Sequence, residues 1–297
     1  MKKLITILLL LFVIVLEAQD SDVFDRIQAI HNHGTTFYNV DGIDFSSQIL
    51  NYSFNEKNLK KVYRKYKIKK NDLKIKDTTL RFQNYHVNNR EEISPGSIQG
   101  NSYYFIENDN KQIEVFWFGS FDTPDVNFER KMINAIANKE IPEKCFNSLN
   151  TKKVNFAGRE LKLGGNCNWM NVNNIQCPYY GQMNWSVHKT KESADKAIDT
   201  QFNITTSRRG GKVVSEQVVD VEFEGVPTKA KKVIYDFTGV KSLLAGISGG
   251  KTLTIYYVSE KVRGNYVSCV MSHWDNDEIR ESGLPALLEE VMKIIEK

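Results

Sequence analysis

Two clusters of carboxylates in this 297-residue chain could support catalysis or metal binding. They lie at Asp122 and Asp125 and again at Asp275, Asp277 and Glu278. Paired carboxylates can transfer protons or hold calcium. Both clusters precede a predicted helix, however, where aspartate caps free backbone N–H groups. We therefore expect helix caps at both places rather than an acid–base pair.

The five histidines do not assemble into a catalytic pattern in the sequence. His31 and His33 lie near the N-terminus, where we expect disorder, and the other three fall in separate strand patterns, at His86, His188 and His273. No Ser-His-Asp or Cys-His set has local support. We expect no cofactor and no enzymatic activity, with a hydrolase of unrecognised site as an alternative.

The four cysteines form an even set: Cys145, Cys167, Cys177 and Cys269. In an exported protein this count fits two disulfides, with three possible pairings. Cys167 and Cys177 enclose the shortest loop, and we predict that pair, worth about 2–3 kcal/mol in the chain-entropy model. Zinc is disfavoured because there is no Cys-x-x-Cys pair. Cys269 lies in a strand pattern typical of an inert core thiol.

The segment Lys57–Lys76 is strongly basic, with ten Lys or Arg residues against the single acid Asp72. The whole chain carries only +4, which is not typical of a nucleic-acid-binding protein. A basic face could attract an acidic partner or a lipid headgroup, with Lys60, Lys61 and Arg64 as contact residues. The solvated side of an amphipathic helix and its following loop explains the same pattern, and we favour that interpretation.

Residues 1–18 predict a secretory signal peptide. Lys2 and Lys3 precede the apolar run Leu4–Leu16, and cleavage is predicted after Ala18. The run has 13 residues, whereas roughly 20 are needed to cross a bilayer. An uncleaved anchor is the alternative. We expect a periplasmic or secreted protein with no membrane span after cleavage.

Comparison of the chain with itself predicts a tandem duplication. Five segments recur in the same order at separations that only increase, as insertions in a second copy would produce. The pairs are Asn39–Phe45 with Asn155–Leu161, Asn51–Phe54 with Asn184–Val187, the apolar stripes at Leu59 and Ala194, Tyr103–Phe105 with Tyr256–Val258, and the stripes at Phe128 and Leu284. Lobe one is predicted over 35–144 and lobe two over 153–297.

The repeated unit predicts an α+β fold, with an antiparallel sheet flanked by helices in each lobe. We place helix N-caps at Asn55 and Thr190, before apolar spacings of three and four residues. Terminal helices are predicted at Val126–Asn138 and Leu284–Glu296. The strand pattern Ile113–Phe118 is apolar on both faces toward its end, which predicts cover on both sides; an aromatic platform for sugars is the alternative.

Lobe two resembles the PsbP-like α/β/α sandwich in the order of its elements. The resemblance rests on Trp185–Val187, the helix Glu192–Phe202, the strand Val213–Phe223 with the Gly225-Val226-Pro227 turn, the hairpin through Tyr256-Tyr257 and Tyr266, and a terminal helix. Lobe one shows it more weakly. The resemblance implies a non-catalytic binding module in a family that includes export-pathway proteins, Ran-binding proteins and effector chaperones. The signal peptide departs from the cytosolic chaperones.

Two insertions distinguish lobe two. The first, between Leu161 and Asn184, contains the predicted disulfide, and Trp169, Tyr179 and Tyr180 are its expected binding anchors. A stapled loop that covers a sheet edge is the alternative. The second contains Gly239–Gly250, whose spacing departs from a phosphate loop and predicts a flexible hairpin.

These observations predict a secreted or periplasmic, non-catalytic protein-binding or adaptor protein, such as an inhibitor or immunity factor. It would use the disulfide loop and a groove between the lobes. The alternative is a binder of envelope carbohydrate, including an anionic envelope polymer, through Trp169, Tyr179 and Tyr180 together with the basic segment. We expect a protein partner and no nucleic acid.

Overall fold

The computed structural model describes residues 23–94, 96–121, 125–149, 151–163, 167–207, 211–237 and 250–295. The predicted signal peptide, Asp122 and most of the Gly239–Gly250 segment lie outside these ranges.

Among the helices of these ranges, none combines the length and apolar character that crossing a membrane requires.

The first sheet has seven strands. These are β1 (Gln28–Asn32), β2 (Thr35–Val40), β3 (Ile43–Ser53), β4 (Asn84–Ser94), β5 (Ser97–Glu107), β6 (Gln112–Ser120) and β7 (Phe146–Asn147). Their order is β4-β5-β6-β3-β2-β1-β7, and neighbours are antiparallel except β1 and β7.

The sheet begins before residue 35, and His31 is ordered in β1, where its Nδ1 lies 3.0 Å from Thr36 Oγ1. The predicted disorder at His31 is therefore wrong, because the β1–β2 hairpin pairs this segment with the sheet.

A helix covers each face of the first sheet. Helix α1 (Glu56–Lys65) begins at Asn55, whose side chain accepts from Asn58 N, as predicted. Its buried stripe packs with Val115 and Phe105 on one face of the sheet. Helix α2 (Val126–Ala137) packs with Phe116 and Phe118 on the other face. The cover predicted for the strand ending at Phe118 is thus confirmed.

The second sheet has eight strands. These are β10 (Asn168–Asn171), β11 (Asn174–Cys177), β12 (Gly181–His188), β13 (Gly211–Phe223), β14 (Val226–Phe237), β15 (Thr252–Val262), β16 (Asn265–Trp274) and β17 (Met292–Ile294). The order is β10-β11-β12-β16-β15-β14-β13-β17. A separate hairpin consists of β8 (Lys153–Phe156) and β9 (Arg159–Lys162). The predicted sheet-rich α+β class is confirmed.

The second sheet also has cover on both faces. Helix α3 (Lys191–Ser207) packs Ile198 and Phe202 against Val233 and Tyr257. The β8–β9 hairpin and the short helix α4 (Ala286–Glu289) cover the opposite face, where Phe156 is fully buried. On this face of the second sheet, a hairpin and one helical turn thus bury the apolar side chains, as a full helix does in the first sheet.

The terminal helix predicted at Leu284–Glu296 is wrong beyond its first turn. Helix α4 ends at Glu289, and Met292–Ile294 forms β17, which pairs with Val221–Phe223 of β13. The apolar spacing of this segment fits a helix, and both Leu288 and Met292 are buried. Helical propensity is weak, and pairing with the open edge of β13 overrides it.

The two sheets share a strand order. In each, a three-stranded meander leads into a helix, and the last strand of a second meander pairs with the strand before that helix. This gives β1-β2-β3-β6-β5-β4 in the first sheet and β10-β11-β12-β16-β15-β14 in the second, with β13 additional. The matched segments at Asn51 and Asn184, Leu59 and Ala194, and Tyr103 and Tyr256 lie on corresponding elements.

One matched pair does not correspond in space. Asn39–Phe45 spans the β2–β3 turn, but Asn155–Leu161 forms the β8–β9 hairpin outside the second sheet. Both segments contain a two-residue turn with positive φ, at Asp41-Gly42 and at Ala157-Gly158. Tight hairpins require that backbone conformation, so the likeness reflects turn chemistry. Strands β10 and β11 occupy the places of β1 and β2, and the β8–β9 hairpin, like β13, has no counterpart among the described strands of the first sheet.

Candidate functional site

The predicted disulfide between Cys167 and Cys177 is present, with an S–S distance of 1.98 Å, and it joins β11 to the start of β10. Cys145 and Cys269 are both buried free thiols. The expectation of two disulfides is therefore wrong, because these two cysteines belong to different cores. Burial raises the pKa of Cys145 to about 11 and that of Cys269 well above its usual value, so neither is a ready nucleophile.

The aromatic residues of the disulfide segment have different surroundings. Trp169 is half-buried against Trp185, with ring centroids 6.2 Å apart, and its Nε1 donates to Ser148 O. Tyr180 packs against the core of the second sheet. Tyr179 is 58% exposed and has a positive φ. The other predicted contact residues, Lys60, Lys61 and Arg64, lie exposed on α1 of the first sheet.

The acidic clusters satisfy backbone donors. Asp125 caps α2 by accepting from Asn127 N and Phe128 N, as predicted. Asp275 accepts from Lys251 N at 3.0 Å and Asp277 from Trp274 N at 2.9 Å. The predicted helix cap is wrong at this second cluster, since α4 does not begin until Ala286.

No group of three His, Cys, Asp or Glu side chains within the described ranges is placed to hold a metal ion.

A cavity of about 340 Å³ lies between the two sheets, and we call it the interlobe cavity. Six of its lining residues are carboxamides, contributed by both sheets and by α3: Asn39, Gln99, Asn171, Asn173, Asn184 and Gln201. A carboxamide offers two N–H donors and an acceptor oxygen, which suits hydroxyl groups. The cavity thus concentrates carboxamides where the two sheets meet, together with the charged residues Asp41, Asp44, Glu192 and Lys196.

The first sheet lines the interlobe cavity with the face against which α1 packs, at the part of that face that α1 does not cover. Register pairs Asp44 of β3 with Gly119 of β6, two residues beyond Trp117 on the same face. Trp117 Nε1 donates to Asn101 Oδ1 at 2.9 Å, which fixes the indole plane. A Cβ at Gly119 would lie 2.6 Å from the indole. The glycine therefore lets the indole lie close over the strand.

A hydrogen-bond chain links the two walls. Asn39 Nδ2 donates to Asp44 Oδ1 at 2.8 Å, and Ser186 Oγ of β12 donates to Asn39 Oδ1 at 2.8 Å. Burial raises the pKa of Asp44. These hydrogen bonds hold the Asp44 carboxylate of the first sheet and the Ser186 hydroxyl of the second at defined positions.

The β2–β3 turn anchors the sheets to one another. Arg26 binds Asp41 with two hydrogen bonds of 3.0 and 2.9 Å, and Lys189 N donates to the same carboxylate at 2.7 Å. Asp41 N donates to Val187 O at 3.0 Å. Bidentate pairs of this kind fix geometry as well as adding energy. These contacts fix the β2–β3 turn of the first sheet against the end of β12, beside the interlobe cavity.

Sequence reasoning missed a buried histidine beside the cavity. His188 Nε2 lies 2.8 Å from Ser268 Oγ, and its Nδ1 lies 2.9 Å from Ser193 Oγ. Ser193 donates to Asp41 O at 3.3 Å, so it accepts from His188 Nδ1–H, which leaves Nε2 to accept from Ser268. The two residues are 80 positions apart. No local signal could have paired them.

The chemistry of this histidine chain is that of a core hydrogen-bond network. Burial lowers the pKa of His188 to about 4, and a base that weak is poorly matched to neutral pH. Ser268 lies on β16 between two paired strands, opposite Ser186 and Ser259. Its backbone N–H is therefore used by the sheet, whereas acyl transfer needs free donors for an oxyanion.

A second cavity of about 290 Å³ adjoins the first and shares Asp41 and Ser193 with it. Its wall includes Glu129 of α2, which is buried. Glu129 Oε2 accepts from Ser102 Oγ at 2.9 Å and from Tyr104 OH at 2.8 Å. Burial raises the pKa of this carboxyl.

Comparison with known proteins gives little guidance. No family model and no curated protein matches the chain. A solved structure, the di-domain ARO/CYC StfQ from the steffimycin biosynthetic pathway, covers 89% of this chain and 77% of its own at 9% identity, with a TM-score of 0.17. Similarity this low supports no conclusion about fold or function. The site must be interpreted from its own chemistry.

Proposed function

We propose that the protein is an exported, non-catalytic binding protein whose interlobe cavity takes a small, neutral, hydroxyl-rich ligand, such as a mono- or disaccharide. The observation that carries this proposal is the set of carboxamides around the fixed indole of Trp117. A volume of about 340 Å³ lies at the lower end of the range of small-molecule sites. Carbohydrate binding, the alternative expected from the sequence, is thus proposed for the interlobe cavity instead of the disulfide segment.

Two of the carboxamides are available to a ligand. Within the described part of the chain, the side-chain amides of Asn184 and Gln201 hydrogen-bond to no other residue. Asn39, by contrast, is held by Asp44 and Ser186. Asn184 and Gln201 would therefore contact the ligand, while Asn39 would orient its neighbours.

The proposal also covers location and ancestry. The Cys167–Cys177 disulfide supports an oxidising compartment, and with the predicted signal peptide it favours a periplasmic or secreted protein. The shared strand order supports a duplicated unit, with lobes near 35–144 and 153–297. The PsbP-like α/β/α resemblance is carried mainly by lobe two; helices on both faces of the first sheet support it there, while the second sheet has a full helix on one face and a hairpin with one helical turn on the other.

The test is binding of the mature chain to a glycan panel, followed by calorimetry with each saccharide that binds. Asn184→Ala and Gln201→Ala should each weaken binding by about fivefold, since a lost hydrogen bond costs about 1 kcal/mol. Asn203→Ala is the matched control, because Asn203 lies exposed on the same helix as Gln201. Failure of every saccharide, or equal weakening by the control, would reject the proposal.

Protein binding is the second candidate function. Tyr179 is exposed beside the disulfide, and rigid tyrosines of this kind act as anchors in interfaces. Co-purification with one stoichiometric protein, lost in Tyr179→Ala, would favour an adaptor over a saccharide binder.

A further inference from the structure

The basic segment Lys57–Lys76 presents unpaired positive charge. On α1 the cations Lys57, Lys60, Lys61 and Arg64 recur at spacings of three and four residues, opposite the buried Leu59 and Val62. Within the described part of the chain, none of the ten cations of the segment forms an ion pair with an acid. Asp77, the next acid along the chain, is already paired with Arg130 at 2.7 Å. The charge of the segment is therefore available to a partner.

Two large aliphatic side chains project from the same segment. Leu73 is 71% exposed and Ile75 is 53% exposed, in a loop that also contains Lys69, Lys70 and Lys76. The residue between the two aliphatics, Lys74, turns inward instead. Its Nζ donates to Asp72 O at 2.6 Å and to Lys69 O at 3.1 Å. The loop is thus fixed with its apolar side chains outward.

We propose that the basic segment docks on an anionic lipid bilayer, with the cations at the headgroups and with Leu73 and Ile75 in the interface. Clustered cations are attracted to anionic leaflets, and each contributes to the partition free energy. The exposed aliphatic side chains gain apolar burial when they enter a membrane interface. A nucleic acid or an acidic polymer would use the cations and leave the aliphatics in water. The combination therefore favours a bilayer over a soluble polyanion.

The test is co-sedimentation of the mature chain with vesicles of phosphatidylcholine alone and of phosphatidylcholine mixed with phosphatidylglycerol. We expect salt-sensitive binding to the mixed vesicles only. The triple variant K60Q/K61Q/R64Q should bind about 100-fold more weakly, since each lost cation near the surface costs about a fivefold step and the three steps multiply. The variant K212Q/K251Q/K261Q removes as much charge from exposed positions of the second sheet and should bind like the parent.

The aliphatic side chains provide an independent test of the same proposal. Leu73→Ser and Ile75→Ser should each weaken binding by about tenfold without changing its salt dependence, because they remove apolar burial and no charge. Circular dichroism checks that each variant is folded.

Three results would overturn the proposal. The first is that the folded parent fails to bind the mixed vesicles at low salt. The second is that both triple variants bind equally well. The third is that the serine variants bind the vesicles like the parent, and that heparin or DNA displaces the parent from the vesicles. That result would assign the segment to a soluble polyanion.

Discussion

The two sheets share a strand order but bury their second face with different elements. In the first sheet α2 supplies the cover through Met132 and Ile133. In the second, a hairpin contributes Phe156 and a single helical turn contributes Leu288. The comparison teaches that the shared strand order determines which face must be covered, while the kind of element that covers it varies. Any segment able to bury enough apolar surface meets the requirement.

The polar cores differ in a similar way. His86 of the first sheet contacts Ser102 at 2.8 Å, and Ser102 donates to the carboxylate of Glu129. His188 of the second sheet contacts Ser268 and Ser193, and that chain ends on a backbone carbonyl. His188 is fully buried, whereas His86 is half-buried. The second sheet thus holds a neutral imidazole with no carboxylate bonded to it.

The largest expected effect tests the hairpin cover. Phe156→Ala should lower the free energy of unfolding by about 3–5 kcal/mol, the range for truncating a buried phenylalanine. Met132→Ala in α2 should cost about 2–5 kcal/mol, so the two covers would prove comparable. Urea denaturation followed by circular dichroism measures both. Tyr179→Ala, at an exposed site, should change stability by less than about 0.5 kcal/mol. A Phe156→Ala loss as small as that of the control would show that the hairpin is not part of the core.

The next effect concerns acid stability. Because burial lowers the pKa of His188 from 6.5 to about 4, the unfolded chain binds a proton there more readily than the folded one. Its contribution is fully present above pH 6.5 and falls as the pH drops toward 4, by about 3 kcal/mol in total. We expect His188→Gln to flatten the dependence of unfolding free energy on pH in this window.

Buried carboxyls act in the opposite sense. Burial raises the pKa of Glu129 and that of Glu114, the latter to about 7, so their contribution is lost as the pH rises. These carboxyls are present in both the parent and His188→Gln. The difference between the pH profiles of the two proteins' unfolding free energies therefore gives the contribution of His188 alone. Parallel pH profiles would contradict a neutral His188.

The smallest effect concerns the outer hairpins. In the first sheet, β1 is paired on both sides, by β2 and by β7. Among the described strands of the second sheet, β10 pairs with β11 alone and is tied to it by the disulfide. Replacing Cys167 and Cys177 by serine should cost about 2–3 kcal/mol, given the short loop of 10 residues. A reducing agent should lower the melting temperature of the parent and leave that of the double variant unchanged; loss of stability in both would mean that Cys145 and Cys269 also form a disulfide, against the structure.

Local chemistry was decided by the sequence alone. The caps at Asn55 and Asp125 and the buried stripe of α1 depend on residues within one turn of each other. The Cys167–Cys177 pairing follows from the shortest loop. The matched segments on β3 and β12, and on β5 and β15, lie on corresponding strands, but the matched side chains do not face equivalent cores. Tyr103 packs on the side of α1, whereas Tyr256 lies on the face opposite α3.

Tertiary structure decided the rest. Residues 292–294 became a strand because β13 had an open edge, and Cys145 and Cys269 stayed apart because they belong to different cores. The interlobe cavity joins residues from Asn39 to Ser268, and the His188–Ser268 contact spans 80 positions. Local sequence patterns report interactions within a few residues, whereas the choice between competing edges and faces is made only when two sheets pack together.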